Sequence, residues 1–136
     1  MSTLGKNSVV QIRNSDDVVR VRQEVRSGAV QIGLSLVDQT KIITAASELA
    51  RNALDYGGGG TANIAFVERG GRRGMTITFE DNGPGIPDLE RALKDGYTTG
   101  GGLGLGLGGA KRLSNEFEIQ SAPGKGTRVM ITRWKS

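Results

Sequence analysis

The stretch EDNGPGIPDLERALKDGYTTGGGLGLGLGGAKR, residues Glu80 to Arg112, decides how this chain folds. Glycine loses more backbone freedom on folding than any other residue. A run so rich in it is either a disordered linker or a loop whose backbone must approach something closely. Too little chain follows Arg112 for an independent domain, and the runs Phe117–Gln120 and Thr127–Trp134 need earlier strands to complete a sheet. The glycine stretch therefore belongs inside one fold and is functional.

Upstream of it, Thr61–Val67 and Met75–Phe79 are β-rich runs flanking ERGGRRG, which reads as a hairpin with a polar, glycine-bearing tip. Val9–Ile12 reads as a short strand. Asn14 or Ser15 then caps a helix whose first turn holds Asp16 and Asp17, matching the positive end of the helix dipole. Val18, Val21, Val25 and Ile32 keep helical spacing up to Gly33. Ser35 with Asp38 resembles a capping box, and Ile42, Ala45, Ala46, Leu49 and Ala53 mark an amphipathic helix as far as Tyr56, stopped by Gly57–Gly60. Downstream, Leu103–Leu113 turns helical toward its C-terminal side, and the last two strands close around Pro-Gly-Lys-Gly. The order of elements predicts an α+β fold in a single domain over residues 1–136, with one sheet covered on one face by helices. There is no internal repeat.

Composition narrows the function. No apolar run approaches the ~18 residues that a membrane span needs, and no signal peptide opens the chain, so a cytoplasmic location is expected and a membrane partner is not. The sequence has no cysteine, hence no disulfide framework or thiolate metal site. It has no histidine either, which leaves acid–base chemistry to carboxylates, Lys or Tyr. The net charge is +4, but the basic residues fall in small groups such as Arg20/Arg22/Arg26 and Arg72/Arg73 without interleaved aromatics. That argues against nucleic acid and for a solvated basic face or a site for acidic or phosphorylated ligands.

Three glycine motifs fail. Gly124-Lys-Gly-Thr127 puts Gly between the Lys and Thr of a Walker A loop, and Gly104–Gly109 matches G-x-G-x-x-G without the apolar strand that a dinucleotide fold places before it. A protein-kinase loop would need later H-R-D and D-F-G motifs, and both are missing. A different set fits. Glu48 and Asn52 stand four apart on the second helix and so face the same way. Alone, such a pair is an ordinary solvated helix face. Asp81-Asn-Gly83-Pro-Gly85-Ile86 follows a strand end, where an Asp can present its carboxylate at a pocket mouth or simply cap a turn. Gly102-Leu103-Gly104-Leu105-Gly106 and Gly124-Lys-Gly126-Thr127 complete four boxes in fixed order.

Together these boxes resemble the Bergerat-type ATP-binding fold shared by gyrase, Hsp90, histidine kinases and MutL, over about residues 35–134. SELARN, GPGIPDLE, GGLG, GAKRL and GKGT further resemble the small anti-sigma-type serine/threonine kinases, the RsbT-like switch kinases of the stressosome among them. The missing histidine argues against a histidine kinase. The resemblance implies a two-layer sandwich with a mixed, largely antiparallel sheet, and ATP with Mg²⁺ as cofactors. It implies that Asn52 binds Mg²⁺ and that Glu48 is the general base. Asp81 would accept from the adenine amino group with Thr127 in support, and Gly83, Gly85 and Ile86 would pass close to the base. Gly102, Leu103, Gly104, Leu105 and Gly106 would form a lid that cradles the phosphates with backbone N–H groups. Implied partners are STAS-domain proteins carrying a Ser or Thr acceptor, then a second output partner such as a phosphatase. The rival expectation is an ATP-gated module that sequesters a partner such as a sigma factor. Arg51 and Lys111 read as solvated surface cations, while Leu103, Leu105 and Leu107 suit either lid packing or an exposed docking patch.

Overall fold

Asn14 fixes where the first helix begins. Its side-chain oxygen accepts from the Asp17 N–H at 3.1 Å, and the Asp17 carboxylate accepts from the Arg13 N–H at 2.8 Å, so two helix-end donors are satisfied reciprocally. The computed structural model describes residues 2–93 and 107–136. Among them run β1 (Ser2–Ile12), α1 (Ser15–Gln31), α2 (Leu36–Asp55), β2 (Gly60–Arg69), β3 (Arg72–Asp81), α3 (Leu89–Ala92), α4 (Leu107–Arg112), β4 (Glu116–Ser121) and β5 (Thr127–Trp134). Ser35 caps α2 by accepting from the Asp38 N–H at 3.1 Å, as its sequence position predicts.

The strands form one sheet in the order β1-β2-β3-β5-β4, and every neighbouring pair is antiparallel. The sheet is thus more uniform than the mixed one expected. Register brings Ile64, Ile77 and Ile131 side by side, and these buried side chains form the middle of the core. Val18, Val21 and Val25 of α1 and Ile42, Ala45, Ala46 and Leu49 of α2 are buried in the same core, so both helices cover the same sheet face. The opposite face is tied by polar pairs. Thr76 and Thr132, cross-strand neighbours, share a hydrogen bond at 2.9 Å. Trp134 donates its indole N–H to Glu116 at 2.7 Å, and Arg69 grips the same carboxylate with two N–H groups at 2.8 and 3.2 Å while lying over the indole ring. Burial of Asp38 is matched by charge: Arg133 donates to it at 2.7 Å and the Ser136 hydroxyl at 3.0 Å. Arg133 also donates to the Leu113 carbonyl at 3.1 Å, just past the end of α4.

Two elements depart from the sequence reading. β1 starts at Ser2 rather than Val9, because β2 pairs with it beyond the irregularity between Leu4 and Ser8. The short α3 was not expected at all. The helix expected over Leu103–Leu113 is present from Leu107, and its earlier residues lie outside the described residues. No described helix is long and apolar enough to cross a membrane.

Candidate nucleotide site

Asp81 is the last residue of β3, where the sheet ends and the chain must turn. Its carboxylate accepts from the Gly83 N–H at 2.9 Å, an Asx-type turn that fixes the side chain's direction. Burial pushes the Asp81 carboxyl above its ordinary range, against backbone hydrogen bonds from Gly83 and Thr127 that favour the charged form. A carboxylate held this way keeps lone pairs for a ligand's N–H.

The end of α2 closes around it. Tyr56 and Gly57 both donate their backbone N–H to the Asn52 carbonyl, at 3.0 and 3.3 Å. A side chain at Gly57 would collide with the Asp81 carboxylate, and one at Gly83 would collide with the Gly57 backbone. Gly85, at φ +77°, sits where only glycine is comfortable, and a Cβ there would overlap the Ala122 carbonyl. The turn after β3 is thereby clamped to the turn between β4 and β5. Gly124 donates to the Pro84 carbonyl at 2.7 Å, and the Ile86 N–H to the Ser121 hydroxyl at 2.8 Å.

These contacts frame a cleft. Its apolar wall comes from Leu49 and Ala53 of α2, Phe79 of β3, Val129 of β5, Ile86 and Leu107. Asp81 and Thr127 add polar side chains on the strand side and Asn52 another on the helix side. A mostly apolar slot with a few placed polar groups suits a flat aromatic ligand with a polar edge. Among the described residues no group of three carboxylates could hold a metal alone.

Five of the residues singled out from the sequence, Asn52, Asp81, Gly85, Ile86 and Thr127, line this one cleft. Gly83 supports it from behind, through Asp81. Glu48 is exposed, one helical turn before Asn52, and is not part of the cleft wall. Gly102, Leu103, Gly104, Leu105 and Gly106 lie outside the described residues. Leu107 is buried against the cleft, which favours packing over an exposed docking role for that residue. Arg51 is exposed and donates to the Ser15 hydroxyl at 3.3 Å, and Lys111 is exposed. The sequence reading missed Gly57, Phe79 and Ser121. Gly57 was visible only as a helix stop, Phe79 only as a strand residue, and Ser121 carried no local signal.

Comparison with known proteins agrees with this geometry. Residues 37–135 match the family described as histidine kinase-, DNA gyrase B-, and HSP90-like ATPase. Over 131 residues the chain is 44% identical to a protein of Bacillus subtilis named serine/threonine-protein kinase RsbT, covering 96% of this chain and 98% of that one. It is 30% identical over 118 residues to an anti-sigma F factor of Thermoanaerobacter, covering 83% and 82% of the two chains. Two solved structures share the fold. The RsbU and RsbW domains of a Mycobacterium tuberculosis protein superpose with a TM-score of 0.67 at 19% identity, over 97% of this chain and 34% of that one. A mycobacterial sensor histidine kinase, MprB, superposes with a TM-score of 0.55 at 17% identity, over 95% and 97%.

Proposed function

The chain belongs to the histidine kinase-, DNA gyrase B-, and HSP90-like ATPase family and is a serine/threonine-protein kinase of the RsbT kind, and from that premise we propose that it uses Mg-ATP to phosphorylate a STAS-domain protein of a stressosome, then engages a second signalling partner. The observation that carries the nucleotide half of this reading is the convergence of Asp81, Thr127 and Asn52 on one apolar cleft.

The residues fit the ligand. Adenine would lie in the slot between Leu49 and Val129, with its amino group toward Asp81. Asn52 would reach the metal. A lone amide oxygen suits Mg²⁺, which keeps most of its ligands as water and phosphate oxygens. The metal, when bound, offsets the negative charge of the phosphates during transfer. Lid residues Gly102–Gly106 are assigned to the phosphates on the strength of the family resemblance.

Glu48 is assigned as the base. It shares a helix face with Asn52 but projects to solvent, where a protein hydroxyl can reach it. It takes the proton of the acceptor Ser or Thr as the hydroxyl oxygen bonds to the transferred phosphorus, and ADP departs. The new phosphate, with a charge of about −1.5 to −2, then stands beside a carboxylate and is repelled. That repulsion releases the partner and frees the surface for an output protein such as a phosphatase. The reaction is placed in the cytoplasm.

A second reading, an ATP-gated sequestering module, is favoured by the anti-sigma F factors among the relatives. Glu48 argues for the enzyme, since a pure binder has no use for a base beside the metal ligand. The test is gel filtration of the chain with a STAS-domain partner and an output protein, with and without Mg-ATP. The proposal expects a complex that Mg-ATP dissolves, together with mutually exclusive binding of the two proteins. A stable ternary complex, or equal affinity for phosphorylated and unphosphorylated partner, would refute the switch.

A further inference from the structure

We propose that Ser121 is a specificity-determining residue for the nucleobase, because it fixes the direction of the Thr127 hydroxyl proton and leaves that side of the cleft with acceptors alone. The inference rests on the reading of the cleft as an adenine-nucleotide site.

Ser121 ends β4 and lies opposite Thr127, which begins β5. Its hydroxyl oxygen has three neighbours. The Ile86 N–H donates to it at 2.8 Å. It stands 3.0 Å from the Gly126 carbonyl oxygen, which can only accept, and the Ser121 proton is assigned to that bond. It also stands 2.8 Å from the Thr127 hydroxyl oxygen. A serine hydroxyl has one proton. With that proton on the Gly126 carbonyl, the bond between the two hydroxyls exists only if Thr127 donates it. Thr127 then turns lone pairs, and no proton, toward the cleft.

Asp81, the other polar group on that side, can only accept when it is ionised, because it then carries no proton. A purine with a 6-amino group offers N–H donors to such an edge. A 6-oxopurine puts a carbonyl oxygen where the 6-amino donor would sit, acceptor against acceptor, and moves its edge donor to N1–H, so the contact at the 6-position is lost and the base is disfavoured. Ser121 does not line the cleft. It is a positioning residue, acting through Thr127 and, by way of the Ile86 N–H, through the turn that carries Gly85.

The test is calorimetric binding of Mg-ATP and Mg-ITP, which differ at the purine 6-position, to the wild-type chain and to Ser121→Ala, Ser121→Thr and Thr127→Val. In Ser121→Ala the Thr127 hydroxyl is free to rotate and donate, so the preference for ATP over ITP falls about tenfold, as loss of one oriented hydrogen bond implies. Ser121→Thr keeps a hydroxyl and restores the preference. Thr127→Val lowers it with Ser121 intact, and adding Ser121→Ala to that variant changes it no further. A Ser121→Ala chain that binds both nucleotides more weakly in equal measure, or a Thr127→Val chain with unchanged preference, overturns the proposal and leaves Ser121 as a brace for the turn. Should Ser121→Ala fail to fold, the Ser121→Thr and Thr127→Val arms decide. A wild-type chain without preference for ATP overturns the adenine reading itself, an outcome distinct from failure of the Ser121 proposal.

Discussion

Gly57, just past the end of α2, lies against the carboxylate of Asp81 at the end of β3 with no room for even a methyl group between them. The helix and strand that carry the two halves of the cleft therefore meet through this pair. Gly57→Ala forces the Asp81 side chain off its Asx turn. Adenine-nucleotide affinity should drop several-fold, while circular dichroism shows the helices retained. Unchanged affinity, measured by calorimetry, means that Asp81 is not held in place for the base.

Asp81→Asn keeps the shape but replaces an acceptor-only group with an amide that can present a donor. The charge-assisted hydrogen bond lost is worth ~1.5–3 kcal/mol, so ATP binding should weaken at least several-fold. Equal calorimetric affinity in this variant and the wild type would remove the adenine assignment.

Acid should weaken binding through the same residue. Burial raises the Asp81 carboxyl above the ordinary carboxylate range. The accepting, ionised form exists above that raised value and is lost as pH falls through it. Adenosine affinity of the wild type should decline on acidification before ordinary surface carboxylates titrate, and Asp81→Asn should lack this step. The same decline in both proteins assigns it to another group.

Asp38 and Arg133 form a buried pair, with side-chain exposures of 7% and 13%, joining the start of α2 to β5. The Arg133 hydrogen bond holds the Asp38 carboxyl below its ordinary value despite burial. Its contribution is therefore complete above the unfolded carboxyl's value and disappears as pH falls through the lower, folded one. Asp38→Asn leaves a buried guanidinium uncompensated and should cost ~3–5 kcal/mol in urea unfolding at neutral pH. The gap between variant and wild type should narrow only below the usual carboxylate range. A gap that closes between pH 5 and 7 points elsewhere.

Much of the fold was legible because its signals are local. Asn14 and Ser35 cap helices through bonds three residues away, and the Val18–Val25 and Ile42–Ala53 spacings need only the helical period. What was hidden depends on register. Ser121 meets Thr127 and Ile86 only because β4 pairs with β5 and the β3 turn folds against both. Gly57 acquires its role only when α2 is laid against the end of β3. β1 extends to Ser2 through pairing with β2, across a Gly-Lys-Asn-Ser stretch that shows no alternation of its own. Glu48 and Asn52 stand one turn apart on α2, yet periodicity alone gives no sign that Asn52 lines the cleft while Glu48 stands in solvent.

Transfer of labelled phosphate from Mg-ATP to a STAS-domain partner, compared between the wild type and Glu48→Gln, tests the kinase reading most directly. The wild type should label the partner on Ser or Thr. Glu48→Gln should bind nucleotide and partner nearly as well while transfer falls by ~10²–10⁴, the range for loss of a general base. Transfer that survives undiminished in Glu48→Gln, or a wild-type chain that binds Mg-ATP and partner without labelling it, contradicts the assignment.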